Sequence, residues 1–201
     1  MADQPREVLT IGHSSHSMER FLELLHGAGA TAVADVRSAP YSRHVPQFNH
    51  DALKAALRAA GVAYVHLGKE LGGRPQDRSR YRGGVVDYEH IARTPVFEAG
   101  LQRVLEGAAT HRVALMCAEA DPLDCHRCLL IARALAAGGV PVRHVLADGA
   151  MATHAELEDE LLRRTRRAED DLFLPRTERI AVAYQEHARR VGYAETDADA
   201  G

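Results

Sequence analysis

Short apolar runs alternate along the chain with segments of helical periodicity. Glu7 to Gly12 (EVLTIG) is β-rich and opens into a polar turn at His13 and Ser14, which predicts a first strand. Ser17 can cap a helix carrying Phe21, Leu22, Leu24 and Leu25 on one face, and Gly27 with Gly29 ends it. Thr31 to Val36 predicts a second strand. Asn49 then caps a helix through Leu53, Ala56, Leu57 and Ala60 to Gly61, and Val62 to Leu67 supplies a third strand. From Gly68 to Asp87 the pattern lapses into glycine and arginine without periodicity, which predicts a long loop of the kind that is functional or mobile. Tyr88 to Ala108 reads as helix interrupted near Pro95. Val113 to Met116 is a continuous apolar run bounded by polar residues, as expected of a strand buried on both faces. Asp121 and Pro122 break that strand, and Asp124 is placed as the cap of a helix through Leu129, Leu130, Ala132, Leu135 and Ala136. Cys125, His126 and Arg127 then fall in its first turn, and Gly138 with Gly139 stops it. Val140 to Ala147 predicts a fifth strand and Asp148-Gly149 a turn. Thr153 with Glu156 reads as a capping box opening a charged helix to about Arg167, Glu169 to Pro175 as a linker, and Thr177 to Val191 as a final amphipathic helix.

Strands alternating with helices in this way predict the α/β class. The expected architecture is a single Rossmann-like domain over residues 1–150, with a mainly parallel five-stranded sheet and helices on both faces. C-terminal helices over residues 151–192 should pack on it, followed by a disordered tail at 193–201.

Composition narrows the partners. A formal charge of −3 over 201 residues gives no global electrostatic case for nucleic acid, so any basic face must be local. No tract approaches the roughly 18 apolar residues of a membrane span. The start, MADQPREVLT, lacks the features of a signal peptide, so a cytoplasmic protein without a membrane partner is expected. The 3 cysteines, clustered within Cys117 to Cys128, argue for reduced thiols that are structural, catalytic or metal-binding rather than for a disulfide framework.

On a parallel sheet the polar residues that end these strands share one rim. His13, Asp35, Arg37, Glu119 and the Cys125-His126-Arg127 turn all fall at C-terminal strand ends, where ligands of open α/β sheets gather. Three chemistries compete for them. The spacing C-x7-C-H-x-C departs from the paired spacing of structural zinc sites, and Cys128 should point away from Cys125, so no metal and no cofactor is assigned. A thiol at a helix start beside His126 and Arg127 has the setting that depresses its pKa. Phosphatase-like loops, however, need Cys-x5-Arg, for which Cys117 lies too far from Arg127 and Cys125 too near. Asp35 and Glu119 could instead activate water or stabilise a developing cation, as in hydrolysis of glycosidic bonds, while His13 and Arg127 hold the anionic or departing part. The plainer role for Asp35 is an ion pair with Arg37. Glu119 is the better acid or base, because it follows an apolar strand that would desolvate it. The candidate catalytic residues are thus Glu119, Asp35, His13 and Cys125.

Arginines and aromatics on the loops suit phosphate contacts and stacking of bases. Candidate substrate-binding residues are Ser14, Arg37, Ser42, Arg43, Phe48, Arg74, Tyr81, Tyr88, Cys117, His126 and Arg127, with Tyr41, Arg78, Arg80 and Arg82 nearby. Asp171, Leu172 and Phe173 look like the short peptides that dock on the bacterial sliding clamp, although Leu172 and Phe173 could equally pack back on the domain. Five motifs, TIGHS at Thr10 to Ser14, DVRSAPYSR at Asp35 to Arg43, FN at Phe48 and Asn49, YVHLGKELGGRP at Tyr64 to Pro75 and MCAEADPLDCHR at Met116 to Arg127, together resemble the DUF488 family. The resemblance spans Val8 to Asp148 and implies a Rossmann-like α/β domain whose motif residues form one site, without supplying a reaction. The expected function is a base-processing enzyme, most concretely a hydrolase of N-glycosidic bonds in DNA or a nucleotide. A thiol-dependent enzyme using Cys125 on a small anionic substrate is one alternative, and a non-enzymatic module binding nucleic acid or the sliding clamp is another.

Overall fold

Val8–Gly12 (β1) and Val113–Cys117 (β6) are buried at every position, as their unbroken apolar runs require of strands covered on both faces. They are neighbours in the centre of a six-stranded sheet in the computed structural model, which describes residues 7–168 and 173–194. Ala32–Asp35 (β2) and Ala63–His66 (β3) extend the sheet beyond β6, and Val142–Val145 (β7) extends it beyond β1, all parallel. The chain is therefore α/β, with a mostly parallel sheet in the order β3-β2-β6-β1-β7.

Two apolar layers cover the sheet. Met18–Gly27 (α1), capped by Ser17 as expected, and His50–Ala59 (α2) pack Phe21, Leu24, Leu25, Leu53 and Leu57 on one face against Leu9, Ile11, Val33 and Met116. Pro95–Ala108 (named α5 below, after Gly68–Leu71 as α3 and Tyr88–Ile91 as α4) covers the other face. With it pack Arg133–Ala137 (α6), His154–Arg164 (α7) and Arg176–Val191 (α8). The Thr153–Glu156 capping box forms as the sequence predicts. Among the described residues no helix is long and apolar enough to cross a membrane.

The structure departs from the sequence reading at four places, each with a physical cause. A sixth strand, Met151–Thr153 (β8), pairs antiparallel with β7; three residues are too few to show a period, and the sequence marks only Thr153 there, as a helix cap. The segment from Gly68 to Asp87 is not a bare loop, because Tyr81–Arg82 (β4) and Val85–Val86 (β5) form a hairpin. Its turn residues Gly83 and Gly84 hold φ of 61° and 79°, the pair of positive values that a tight two-residue turn needs and glycine supplies. Asp124 does not open a helix. It ends a single 3-10 turn that Asp121 caps, Cys125 is extended at φ −136°, and a π-helical stretch, Arg127–Ala132, leads into α6. Tyr193 does not belong to a disordered tail, since its carbonyl accepts from the Val86 N–H at 3.0 Å. Residues 195–201, and Asp171 with Leu172, lie outside the described residues.

A buried polar relay joins the sheet to α7 and α8. Thr10 Oγ1 meets His144 Nδ1 at 2.8 Å, His144 Nε2 meets His154 Nδ1 at 3.1 Å, and His154 Nε2 meets the Tyr184 hydroxyl at 3.0 Å. Burial, aided by the Arg133 charge, holds His154 down to about 4, and burial with His154 and Arg127 depresses His144 in the same direction. The opposing acid is Glu158, 4.0 Å from His154 Nε2. A histidine depressed in the folded state contributes its full stability above the unfolded value of 6.5 and loses it as pH falls toward the folded one. Urea unfolding should therefore show a loss of about 3 kcal/mol from His154 alone between pH 6.5 and pH 4. His154→Phe should flatten that slope, and equal slopes in the two proteins would assign the acid sensitivity elsewhere.

Candidate functional site

β1 leads into α1 on one face of the sheet while its neighbour β6 leads into the π-helical stretch and α6 on the other. Such a divergence opens a crevice above the strand ends. Backbone bonds lock its floor: His13 N–H to Cys117 O at 2.9 Å, Ser14 N–H to Ala118 O at 2.8 Å, and Val36 N–H to Met116 O at 3.0 Å. The loop after β6 crosses directly over Gly12, where a Cβ would stand 1.9 Å from Glu119 O, so only glycine fits. Arg127, fully buried, pins the loop from beneath. Its Nη1 donates to Glu119 O at 2.6 Å and its Nη2 to Ala120 O at 3.0 Å. Its guanidinium is thus committed to loop carbonyls and shapes the site, rather than holding an incoming anion as its sequence position suggested.

A second buried assembly removes three more residues from the candidate list. Asp35 accepts from Arg37 Nε at 2.9 Å and Nη2 at 2.7 Å, from the Arg37 backbone N–H at 3.1 Å, and from the Tyr64 hydroxyl at 3.0 Å. Arg37 also donates to Phe48 O at 2.9 Å and reaches His13 Nε2 at 3.2 Å. His13 stacks on Phe48 with ring centroids 4.3 Å apart, and burial, with a smaller push from Arg37, holds it down to about 4. It is therefore neutral at physiological pH, accepting from Arg37 at Nε2 and donating through Nδ1 to Ser14 O at 2.8 Å. Asp35 and His13 are a strut between β1 and β2, not an acid and base facing substrate. Phe48, with no exposed surface, is core packing and cannot stack a base.

What does face the crevice is a thiol cluster. A cleft of about 490 Å³ is floored by Cys117, Glu119, Cys125 and His126 and walled by Arg37, Ser38, Ser42, Arg74, Tyr41, Tyr88 and Tyr193. Cys125 Sγ lies 3.0 Å from Glu119 Oε2, and His126 Nδ1 is 3.8 Å from both Cys117 Sγ and Cys125 Sγ. His126 Nε2 donates to Val36 O at 3.0 Å, which fixes the ring with Nδ1 aimed at the sulfurs. Gly73 backs the ring so closely that a Cβ there would meet His126 Cγ at 2.6 Å. The Cys125 carbonyl accepts from the N–H groups of Cys128 and Leu129 at 3.0 Å, and its sulfur accepts from the Arg127 N–H at 3.4 Å, so the thiol does the work of a helix cap.

Electrostatics divide the cluster. Burial pushes the Cys125 thiol up, but the hydrogen bond with Cys117 and the Arg127 charge outweigh it and bring Cys125 well below its ordinary range. Cys117 moves the opposite way, raised by its bond to Cys125 and by burial. Burial and then the Cys125 charge raise Glu119. For His126 burial works downward, but bonding to Cys125 and the nearby negative charge carry it up. Cys128 sits apart, raised by burial, on the side of the helix facing His144 and His154.

The remaining candidates scatter. Arg74 walls the cleft with its guanidinium 4.5 Å above the Tyr193 ring, and Ser42 lines it while holding the loop through Asn49, whose Oδ1 accepts from the Ser42 N–H at 2.6 Å. Tyr88 is buried but still forms part of the wall. Ser14 and the exposed Arg43 do not line the cleft, and Tyr81 turns its hydroxyl to Pro75 O at 2.9 Å. Arg80 pairs with Asp77 at 3.3 Å and Arg82 with Asp87 at 3.4 Å, which satisfies part of the basic loop internally. Ser38, Gly73 and Tyr193 line the cleft without having been anticipated. Tyr193 in particular lies beyond the last amphipathic helix, where sequence periodicity offers no signal. A larger cleft of about 750 Å³ between α4 and α8 has Tyr88 in common but none of the thiols. Of the clamp-like peptide only Phe173 is described, and it is exposed.

A family model described as "Domain of unknown function DUF488" matches residues 17–134, more than half of the chain. No curated protein matches the chain, and no solved structure does.

Proposed function

The chain belongs to the DUF488 family, and we propose that it is a hydrolase processing a base-bearing substrate, a nucleotide or nucleic acid, with Glu119 moving the proton. The observation that carries this reading is the position of Glu119. Its carboxyl stands on the floor of a nucleotide-sized cleft whose walls combine Tyr41, Tyr88 and Tyr193 with Arg74. Aromatic faces stack bases and a guanidinium meets phosphate, so such a wall orients a nucleotide with its base inward. Asp124, the other carboxylate of the lining, is committed to Arg164 at 3.9 Å and His187 at 3.7 Å. With Asp35 held in the strut, the two-carboxylate scheme reduces to one carboxyl.

In hydrolysis of an N-glycosidic bond, water oxygen bonds to the anomeric carbon as the carbon–nitrogen bond breaks. Glu119 takes the water proton and returns it to the departing base. The test is incubation of the purified chain with nucleotides and with duplex and single-stranded DNA carrying normal, damaged and hypermodified bases. Release of free base, with alkali-labile abasic sites on the polymers, is the expected result. Absence of release from every substrate would reject the reading.

One observation favours a second reading, thiol catalysis on a small anionic substrate: the 3.0 Å contact between Cys125 Sγ and Glu119 Oε2 couples a nucleophile to a proton carrier. A thiol nucleophile leaves a covalent adduct on Cys125 during turnover and an attacking water does not. Intact-protein mass spectrometry of the quenched reaction separates the two.

A further inference from the structure

We propose that Cys117, Cys125 and His126 ligate one divalent metal ion of zinc-like preference, leaving a fourth position open to the cleft beside Glu119. The donor set is soft and complete for such a site: two sulfurs and one imidazole nitrogen, with all three atoms within 4.8 Å of one another. A tetrahedral zinc ion with ordinary bond lengths places sulfur and nitrogen ligands about 3.6 Å apart. The two sulfur–Nδ1 separations are 3.8 Å each, so both thiols are already near ligand spacing around one point.

The surroundings match what ligands of a metal need. His126 Nε2 is spent on Val36 O, which fixes the ring and presents Nδ1, the usual support for a coordinating histidine. The absence of a side chain at Gly73 is what makes room for the ring in this position. The Arg127 N–H at 3.4 Å stabilises negative charge on the Cys125 sulfur, and the buried Arg127 guanidinium lies next to the pair. A contrasting cluster of Cys128, His144 and His154 shows what is special here. Both ring nitrogens of both histidines there already have hydrogen-bond partners, namely Thr10, each other and Tyr184, so no lone pair is left for a cation. In the first cluster His126 Nδ1 meets only thiols.

Spacing hid this site. C-x7-C-H does not resemble paired zinc knuckles, yet the 3-10 turn at Pro122–Asp124 folds the seven intervening residues back so that Cys125 returns to Cys117. Two cysteines and a histidine with a non-ligating glutamate nearby is also the donor arrangement by which zinc deaminases activate water against a base. The role of the open position rests on the hydrolase reading of Glu119; the existence of the metal site does not. With a metal holding the water and Glu119 taking its proton, the site no longer needs the second carboxylate that Asp35 fails to supply.

The test uses the full chain purified under reducing conditions. Metal content is measured by plasma mass spectrometry, the protein is stripped with a chelator, and cobalt(II) is titrated in while absorbance is followed. Stoichiometric zinc is expected, with a cobalt spectrum showing tetrahedral ligand-field bands and a thiolate charge-transfer band of the size of two sulfurs. Cys117→Ser, Cys125→Ser and His126→Ala should each weaken cobalt binding at least about 100-fold with unchanged circular dichroism, while Cys128→Ser and Glu119→Gln retain it. Should a cluster variant fail to fold, the thiolate count in the wild type and the Cys128→Ser arm still decide. Failure of the reduced wild type to take stoichiometric cobalt overturns the proposal, and so does loss of the spectrum in Cys128→Ser. Loss in Glu119→Gln would close the fourth position and overturn that part. Metal bound without base release from any substrate would reject the hydrolase reading and leave the metal site standing, whereas undiminished base release by the stripped protein would overturn the metal's part in it.

Discussion

Glu119→Gln should lower base release by about 10²–10⁴-fold while leaving ligand binding nearly unchanged. The substitution keeps the length and most hydrogen bonding of the side chain, so its contact with Cys125, 3.0 Å in the wild type, survives in form. What it removes is the group that takes a proton and gives it back. The backbone of residue 119 is held independently, by the Arg127 guanidinium on its carbonyl, so the loop has no reason to move. Binding should be carried by Arg74 and the tyrosine wall, which the change does not touch. Steady-state turnover with equilibrium binding of a product nucleotide, measured on both proteins, separates the two effects. Equal turnover in wild type and variant would mean that another group carries the proton, and parallel loss of binding and turnover would make Glu119 a structural residue of the wall.

How far the sequence discloses this site depends on the kind of signal. The strands announce themselves because burial on both faces demands continuous apolar residues, as in Val113 to Cys117, and the rim position of Glu119 and Cys125 follows from their place after such a strand. The helices of the C-terminal half are legible from their caps, with the Thr153–Glu156 box as the clearest case. Side-chain commitments are only partly legible. The pairing of Asp35 with Arg37 is expected from DVR, but nothing there says that the pair also engages Tyr64, His13 and Phe48 O, and nothing in CHR says that Arg127 turns inward to the loop carbonyls of Glu119 and Ala120 while His126 turns outward to the thiols. Convergence across long separations is equally silent, which is why Tyr193 enters the cleft unannounced and why Cys117 and Cys125 look too distant in sequence to share a ligand. The short elements were lost for a simpler reason. A two-residue strand such as Tyr81–Arg82 offers no period to detect, although the Gly83-Gly84 pair marks the turn beside it.

Asp35→Ala should destabilise the fold by about 3–5 kcal/mol, a large part of the roughly 5–15 kcal/mol that holds a typical domain together. The magnitude comes from what is left behind rather than from the attraction lost. Asp35 has no exposed surface and Arg37 only 6 %, so removing the carboxylate strands a guanidinium in the interior with only Phe48 O and the neutral His13 Nε2 as partners. Tyr64 loses its acceptor in the same step. Replacing the pair together, Asp35→Ala with Arg37→Met, removes the stranded charge and should recover much of the loss, because apolar side chains often substitute for a buried ion pair at little cost. Urea unfolding of wild type, single and double variants gives both numbers. A single variant within about 1 kcal/mol of wild type would place the pair in the class of exposed ion pairs and refute the strut. The effect also reaches the thiols. Val36, between the two strut residues, supplies the carbonyl that holds His126 Nε2, so a loosened strut frees the imidazole whose Nδ1 faces Cys117 and Cys125. Cobalt binding by a folded Asp35→Ala protein should therefore weaken, and the double variant should restore affinity in step with stability.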